Sequence, residues 1–325
     1  MIPFWLSLVV SVVATGAAIV ILRRRQLLDV PNHRSSHAVP TPRGGGLAVM
    51  VAVVVGVAVS GNSESWPVLL PALLLAAVGF ADDLRSLSSR VRLAAQVALG
   101  LLLSLWVAHD VGTAGLAAAV FVGVCLVGIV GYVNAFNFMD GVNGISALNA
   151  AVGGAWFAWL GHQHDSHTLL VLGAVVAGAA LGFLPWNASS RVFLGDVGSY
   201  GLGALLAGAA VLAWAHEVPA VLCVAPLLVY FADTAWVIVR RARAGRPLTE
   251  AHREHVYQRL VQGGWSHLGA AAWCAGSSGA LAVAMAVLYD HHRAAALALV
   301  VLVLSGYLAT PRAVRGLRGT DVVTT

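Results

Sequence analysis

Eleven apolar runs separated by short polar segments constrain this chain more than any other feature. They lie at roughly 3–22, 45–60, 67–81, 93–108, 113–133, 145–160, 168–184, 199–215, 218–239, 267–288 and 294–310. A run of about 20 apolar residues crosses a bilayer as a helix, because the helix satisfies every backbone N–H and C=O internally. Several runs are shorter than that. They are rich in Gly and Ala, which lets helices pack closely. Composition agrees: 59% of the 325 residues are hydrophobic and only 10% charged, against about 25% charged in a soluble domain. The expectation is an all-α polytopic membrane protein of about 11 transmembrane helices, a single membrane domain over 1–325.

Charge sets the expected orientation. The 19 basic residues are all arginine. With the N-terminus outside, the inner segments are 23–44, 82–92, 134–144, 185–198, 240–266 and 311–325. They hold 5, 3, 0, 1, 6 and 3 arginines, leaving only Arg293 outside. Cytoplasmic loops carry such an excess, so the C-terminus is expected in the cytoplasm. The pI near 9.6 then reflects topology, and no nucleic-acid partner is expected. Arg23, Arg24 and Arg25 follow the first apolar run instead of preceding it. That fits a retained first span better than a cleaved signal. Cys125, Cys223 and Cys274 lie within apolar runs without metal-ligand spacing and read as small packing residues.

The chemistry sits in five polar inner segments. "DVPNHRSSHAVPTPRGGGLAV" (29–49) places Arg34, His37 and Arg43 beside the membrane, as phosphate binders or topology signals. Its Gly44–Gly46 triplet lacks the Lys-Ser/Thr of a P-loop and reads as a point where the chain re-enters the bilayer. "FADDLRSLSSRVRL" (80–93) puts Asp82 and Asp83 at a span end. That pair suits a general base or a metal, or simply a solvated helix end. In "NAFNFMDGVNG" (134–144), Asn134, Asn137, Asp140 and Asn143 recur every third residue as a polar stripe. Hard oxygen donors of this kind suit Mg²⁺; helix capping is the alternative. "PWNASSRVFLGDVGSYG" (185–201) sets Asp196 between glycines, as an N-cap or next to a phosphate. Its Phe193 suits the core or a nucleobase stack. "TEAHREHVYQRL", within 240–267, reads as a basic amphipathic helix with His252 and His255 flanked by Arg253 and Arg259. It is either an interfacial helix or an arm that grips a diphosphate. Asp233, inside the ninth run, is either functional or paired with a neighbouring helix. The histidines of "HQHDSH" (162–167) have metal-like spacing but fall in an outer loop.

Acids, amides and Arg/His groups at one membrane edge are the parts of phosphoryl transfer between a soluble phosphorylated molecule and a lipid. A transporter is the rival class. It would place ionisable groups near the midplane, where only Asp233 is a candidate.

Taken in order, "DVPNHRSSHAVPTPRGGG", "FADDL", "NAFNFMDGVNG", "FLGDVGS" and "HREHVYQ" resemble the polyprenyl-phosphate N-acetylhexosamine-1-phosphate transferases. The resemblance covers about residues 29–267. It implies transfer of a sugar 1-phosphate from a UDP-N-acetylhexosamine to undecaprenyl phosphate at the cytoplasmic face of a bacterial membrane, with Mg²⁺ (or Mn²⁺) and release of UMP. It also admits a homodimer. By the same resemblance, Asp82, Asp83 and Asp140 are catalytic. Asp196 and Asn137 hold the metal. Phe193 stacks on uracil, and Asn187, Arg34, His37 and His255 contact substrate. Tyr257 and Gln258 stand where the family commonly has two further histidines, and Ser35 where it has Lys. These forms resemble the O-antigen-initiating branch that uses 6-deoxy sugars such as FucNAc or QuiNAc. They argue against a MurNAc-pentapeptide donor.

Overall fold

The computed structural model describes residues 1–30, 39–247 and 252–320, the last six as helix backbone. The helices are α1 (Ile2–Arg24), α2 (Gly46–Ser60), α3 (Trp66–Arg85), α4 (Ser89–Asp110), α5 (Gly115–Met139), α6 (Ile145–Gln163), α7 (His167–Ala188) and α8 (Gly195–Ala215). They continue as α9 (Ala220–Val224), α10 (Leu228–Arg243), α11 (Val256–Gln262), α12 (His267–Leu288) and α13 (Arg293–Thr320). A two-stranded antiparallel ribbon, β1 (Leu28–Asp29) with β2 (Thr41–Pro42), lies between α1 and α2.

The chain is thus an all-α polytopic membrane protein. Each of the eleven apolar runs is helical. Among the described residues, nine helical segments are long and apolar enough to cross a membrane, two fewer than expected. The two that fall short are α2, with only 15 residues, and α6, whose apolar run is diluted by Ser146, Asn149 and several glycines. The ninth run is not one continuous helix. Pro226 sits in a 3-10 turn, Ala225–Leu227, between α9 and α10, because proline lacks the N–H that a continuous helix requires.

The helix order brings the polar segments together. From α2 onward the long helices alternate in direction, and the connections around 43, 83, 140, 190 and 255 meet at one end of the bundle. At the opposite end, Asn62 Nδ2 lies 2.9 Å from His167 Nδ1. That places His167 of "HQHDSH" beside the α2–α3 turn. No cluster of three metal-binding side chains occurs among the described residues.

Helix α8 is the axis, with 94% of its apolar window buried. It packs against α2, α3, α5, α6 and α7. Helix α1 docks through Ser7, Ser11 and Thr15, which recur every fourth residue on its buried face. The Ser7 and Ser11 hydroxyls donate to Ala52 O (3.1 Å) and Ala179 O (2.7 Å). A Cβ on Gly178 of α7 would lie 2.2 Å from Phe4 O, so the α1–α7 approach requires glycine there.

Candidate active site

The site forms where three helix ends meet backbone to backbone. A Cβ on Gly46 would lie 2.3 Å from Gly198 Cα, and one on Gly79 would lie 2.2 Å from Asp196 O. The start of α2 and the end of α3 therefore reach the first turn of α8 only because both residues lack side chains. Backbone bonds fix the contact: Phe193 N to Pro42 O (2.8 Å), Gly45 N to Phe193 O (2.9 Å) and Gly46 N to Leu194 O (2.8 Å). The glycine triplet, at the point where the apolar helix α2 begins, is thus also a docking surface for α8.

This packing decides what each carboxylate does. Asp83 accepts from Asp196 N (3.0 Å) and Val197 N (3.1 Å), capping α8 from another helix. These are orphan donors of the first helical turn. Asp196 is therefore not the N-cap. Its Oδ1 accepts from Asn137 Nδ2 (2.9 Å), which also donates to Ser199 Oγ (2.9 Å). Its Oδ2 lies 3.1 Å from Arg43 Nη2. The Nε of Arg43 lies 2.6 Å from Asp83 Oδ1, so one guanidinium, 39% exposed, joins both acids. Gly195, at φ +75°, has no space for a side chain: a Cβ would lie 2.6 Å from Asp83 Oδ2.

Asp82 is wired differently from its neighbour. It accepts from Leu87 N (2.7 Å) and Arg92 Nη1 (3.0 Å), closing the α3–α4 turn, and from Tyr200 Oη (3.5 Å). Asp196 lies against both acids of the pair. Asp140, just past α5, accepts from Ser146 Oγ at 2.7 Å. Burial pushes its carboxyl up to about 7, against the opposing pull of that hydrogen bond.

Other expected site residues have backbone-holding roles. Asn187 accepts from Gly144 N (2.7 Å) and donates to Val192 O (3.0 Å), so its buried amide staples two loops. Asn143 donates to Ser190 Oγ instead of capping α6, and Asn134 donates to Gln96 Oε1. Phe193 is half-buried and pairs by backbone with Arg43. His255, only 3% exposed, lies beneath α10, its Nδ1 3.1 Å from Asp233 Oδ1. Asp233 is fully buried. It also accepts from Val256 N (3.0 Å) and Tyr307 Oη (2.8 Å). It is thus the N-terminal anchor of α11. Among the described residues of the expected longer amphipathic helix, the helical part begins at Val256 with α11. Tyr257 donates to Phe138 O (3.1 Å) and fills the space over Gly141, where a Cβ would meet its Oη at 2.1 Å. Arg34 and His37 lie outside the described residues.

The family model described as "Glycosyl transferase family 4" matches residues 65–214. The decaprenyl-phosphate N-acetylglucosaminephosphotransferase of Mycobacterium tuberculosis is 31% identical over 302 residues, covering 80% of this chain and 75% of the relative. The chain belongs to glycosyl transferase family 4. Further relatives carry related names. The M. leprae decaprenyl-phosphate N-acetylglucosaminephosphotransferase is 29% identical over 80% of this chain and 76% of its own. A probable undecaprenyl-phosphate N-acetylglucosaminyl 1-phosphate transferase of Bacillus subtilis is 27% identical, covering 82% and 78%. The family 4 match takes in Asp82, Asp83, Asn137, Asp140, Asn187, Phe193 and Asp196. Arg43, Asp233 and His255 fall outside it.

The donor set fits a magnesium ion of the kind that binds one or two carboxylates and completes its shell with water and substrate phosphates. Asp196, whose oxygens here face Asn137 Nδ2 and Arg43, would hold it, with the Asn137 amide oxygen beside it and negative charge from Asp82 and Asp83 nearby.

Proposed function

We propose that this family 4 member transfers an N-acetylhexosamine 1-phosphate from a UDP-sugar to undecaprenyl phosphate and releases UMP, at the cytoplasmic face of a bacterial membrane. One observation carries the reading. Arg43, Asp83, Asn137 and Asp196, from four separate segments, meet at one end of an apolar bundle. Such a place receives one substrate from the lipid and the other from water. The names of the relatives make GlcNAc the first sugar to test; the "RSSH" and "HVYQ" forms make 6-deoxy N-acetylhexosamines the second.

An oxygen of the lipid phosphate forms a bond to the sugar-bearing phosphorus, and the anhydride bond to UMP breaks, with UMP taking the electron pair. One phosphoanhydride replaces another, so UMP drives the reaction backwards readily. Mg²⁺, or Mn²⁺, held by Asp196 and Asn137 would neutralise charge on the diphosphate. The attacking phosphate has to be deprotonated. Asp82 and Asp83 are the candidates for that: Asp82 is held by Leu87 N and Arg92, and Asp83 by Asp196 N, Val197 N and Arg43, so either exchanges one of these bonds to take the proton. Asp140, whose carboxyl burial pushes up to about 7, is the second proton-handling group. Arg43, already a fork between two carboxylates, offers the same fork to a phosphate.

The test is purified protein with radiolabelled UDP-sugars supplied singly and undecaprenyl phosphate, with and without Mg²⁺. Labelled lipid should form only with the ion, and Asp196→Asn should abolish it while the protein stays folded. Full activity after chelation would overturn the metal assignment. A phosphosugar-labelled enzyme isolated without lipid would overturn the direct displacement.

A further inference from the structure

A polar cavity of about 370 Å³ opens where α10 ends above α11. Arg240, Arg246, Arg253, Arg259, Glu254 and Gln262 line it. Glu254 organises the wall. Its Oε2 lies 2.5 Å from Arg240 Nη2, and its Oε1 lies 2.6 Å from Arg241 Nη1 and 3.4 Å from Arg246 Nη1. Both oxygens are thus taken by three guanidiniums, and among the described residues the lining adds the exposed Arg253. Arginines in the last turn of α10 are expected from the helix dipole and from membrane topology. Neither effect requires a cavity, nor a half-buried carboxylate held by two guanidiniums at 2.5 and 2.6 Å. That arrangement is preorganised for phosphate oxygens.

Position identifies the source of the phosphate. The segment Ala220–Arg243 is long and apolar enough to cross the membrane, so its arginine end lies at headgroup depth. The exposed face of α10 runs through Ala235, Ile238 and Val239 toward Ala242 and Arg246, an apolar track leading to a basic cavity. Helix α11 separates the cavity from the acid cluster. Tyr257 faces the Asn137–Asp140 turn, while Arg259 and Gln262 lie about 140–200° around the helix from it.

We propose that this cavity binds the phosphate of an anionic phospholipid whose chains lie along the outer face of α10, apart from the transfer site. The test uses the full chain in detergent and native mass spectrometry, with phosphatidylglycerol and phosphatidylcholine as probes. Wild type should retain phosphatidylglycerol preferentially. Arg246→Gln with Arg253→Gln should weaken retention about 30-fold, which is about 2 kcal/mol at 1.4 kcal/mol per tenfold. In phospholipid-free detergent, the same variant should keep its KM for UDP-sugar and for polyprenyl phosphate within about twofold. Unchanged phosphatidylglycerol retention would overturn the proposal. A raised KM for either substrate would also overturn it, by assigning the cavity to transfer. Arg253→Glu, at an exposed position, is the second variant and should give the same loss with an unaltered melting temperature.

Discussion

Substituting alanine for Gly79 tests the central packing claim. A Cβ there would lie 2.2 Å from Asp196 O and 2.5 Å from Asp196 C. Ordinary contacts between such atoms begin near 3.5 Å. Backbone cannot swing aside as a flexible side chain does, so the first turn of α8 must retreat by about 1 Å. Retreat stretches the Asp83 bonds to Asp196 N and Val197 N, now 3.0 and 3.1 Å, past hydrogen-bonding range, and it opens the Arg43 bridge. Overpacking of this kind costs about 1–3 kcal/mol, and a misplacement of about 1 Å in a catalytic array slows turnover about 100-fold. The control is Gly123→Ala on α5, where a Cβ meets nothing within 4 Å. By helix propensity alone, both changes should stabilise by up to about 1 kcal/mol, so the two variants are expected to differ in sign. Sugar 1-phosphate transfer and thermal unfolding in detergent are measured for both. Wild-type turnover and an unlowered melting temperature for Gly79→Ala would refute the claim that the α3–α8 approach positions Asp83 and Asp196.

Three further outcomes follow from the contacts. Arg43→Lys should lose about 10- to 100-fold in transfer with little change in unfolding temperature. An ammonium cannot reproduce the two-pronged bridge, and the site's partial exposure limits the pair's contribution to stability. Asp233→Asn should lower stability by about 1–3 kcal/mol in thermal unfolding, because its amide cannot accept from Val256 N, His255 and Tyr307 together; an unchanged melting temperature would remove Asp233 as the anchor of α11. Acid should loosen the α10–α11 connection. Burial alone would raise the Glu254 pKa, but hydrogen bonds from Arg241 and Arg240 hold it below its ordinary 4.5. A lowered carboxylate pKa contributes stability above that ordinary value and loses it as pH falls through the lowered one, so proteolysis there should rise below about pH 4 in wild type and be independent of acid in Glu254→Gln.

Much of the architecture could be read from the sequence. Apolar runs bounded by arginines are strong local signals, and each became helix. What they did not reveal is which backbone would dock beside which side chain. Asp82 and Asp83 are indistinguishable as neighbours in "FADDL", yet one closes the α3–α4 turn and the other caps α8, 113 residues away. Asp196 read equally well as a cap or a ligand; the cap position was already filled from α3. Asn187, expected at the substrate, holds backbone, because a buried amide is drawn to whatever unpaired N–H and C=O lie nearest. Asp233 was the one acidic group inside a run, and its partner lay beyond a turn that no periodicity describes.

The charge balance links the fold to the proposed reaction. Asp82, Asp83, Asp140 and Asp196 are crowded at the end of an apolar bundle. Arg92 serves Asp82, and Arg43 serves Asp83 and Asp196 together. Carboxylates held this way require cationic partners before any substrate arrives. An incoming diphosphate would compete for the Arg43 fork, and each guanidinium bond it took would leave Asp83 and Asp196 with less compensation and a greater demand for a divalent ion. Substrate and metal would then bind cooperatively, through a single arginine at the lip of the cluster. With Arg43→Lys the two should become nearly independent, so nucleotide-sugar affinity measured with and without Mg²⁺ should differ far less than in wild type. Equal coupling in the two proteins would show that the acids, and not Arg43, connect them.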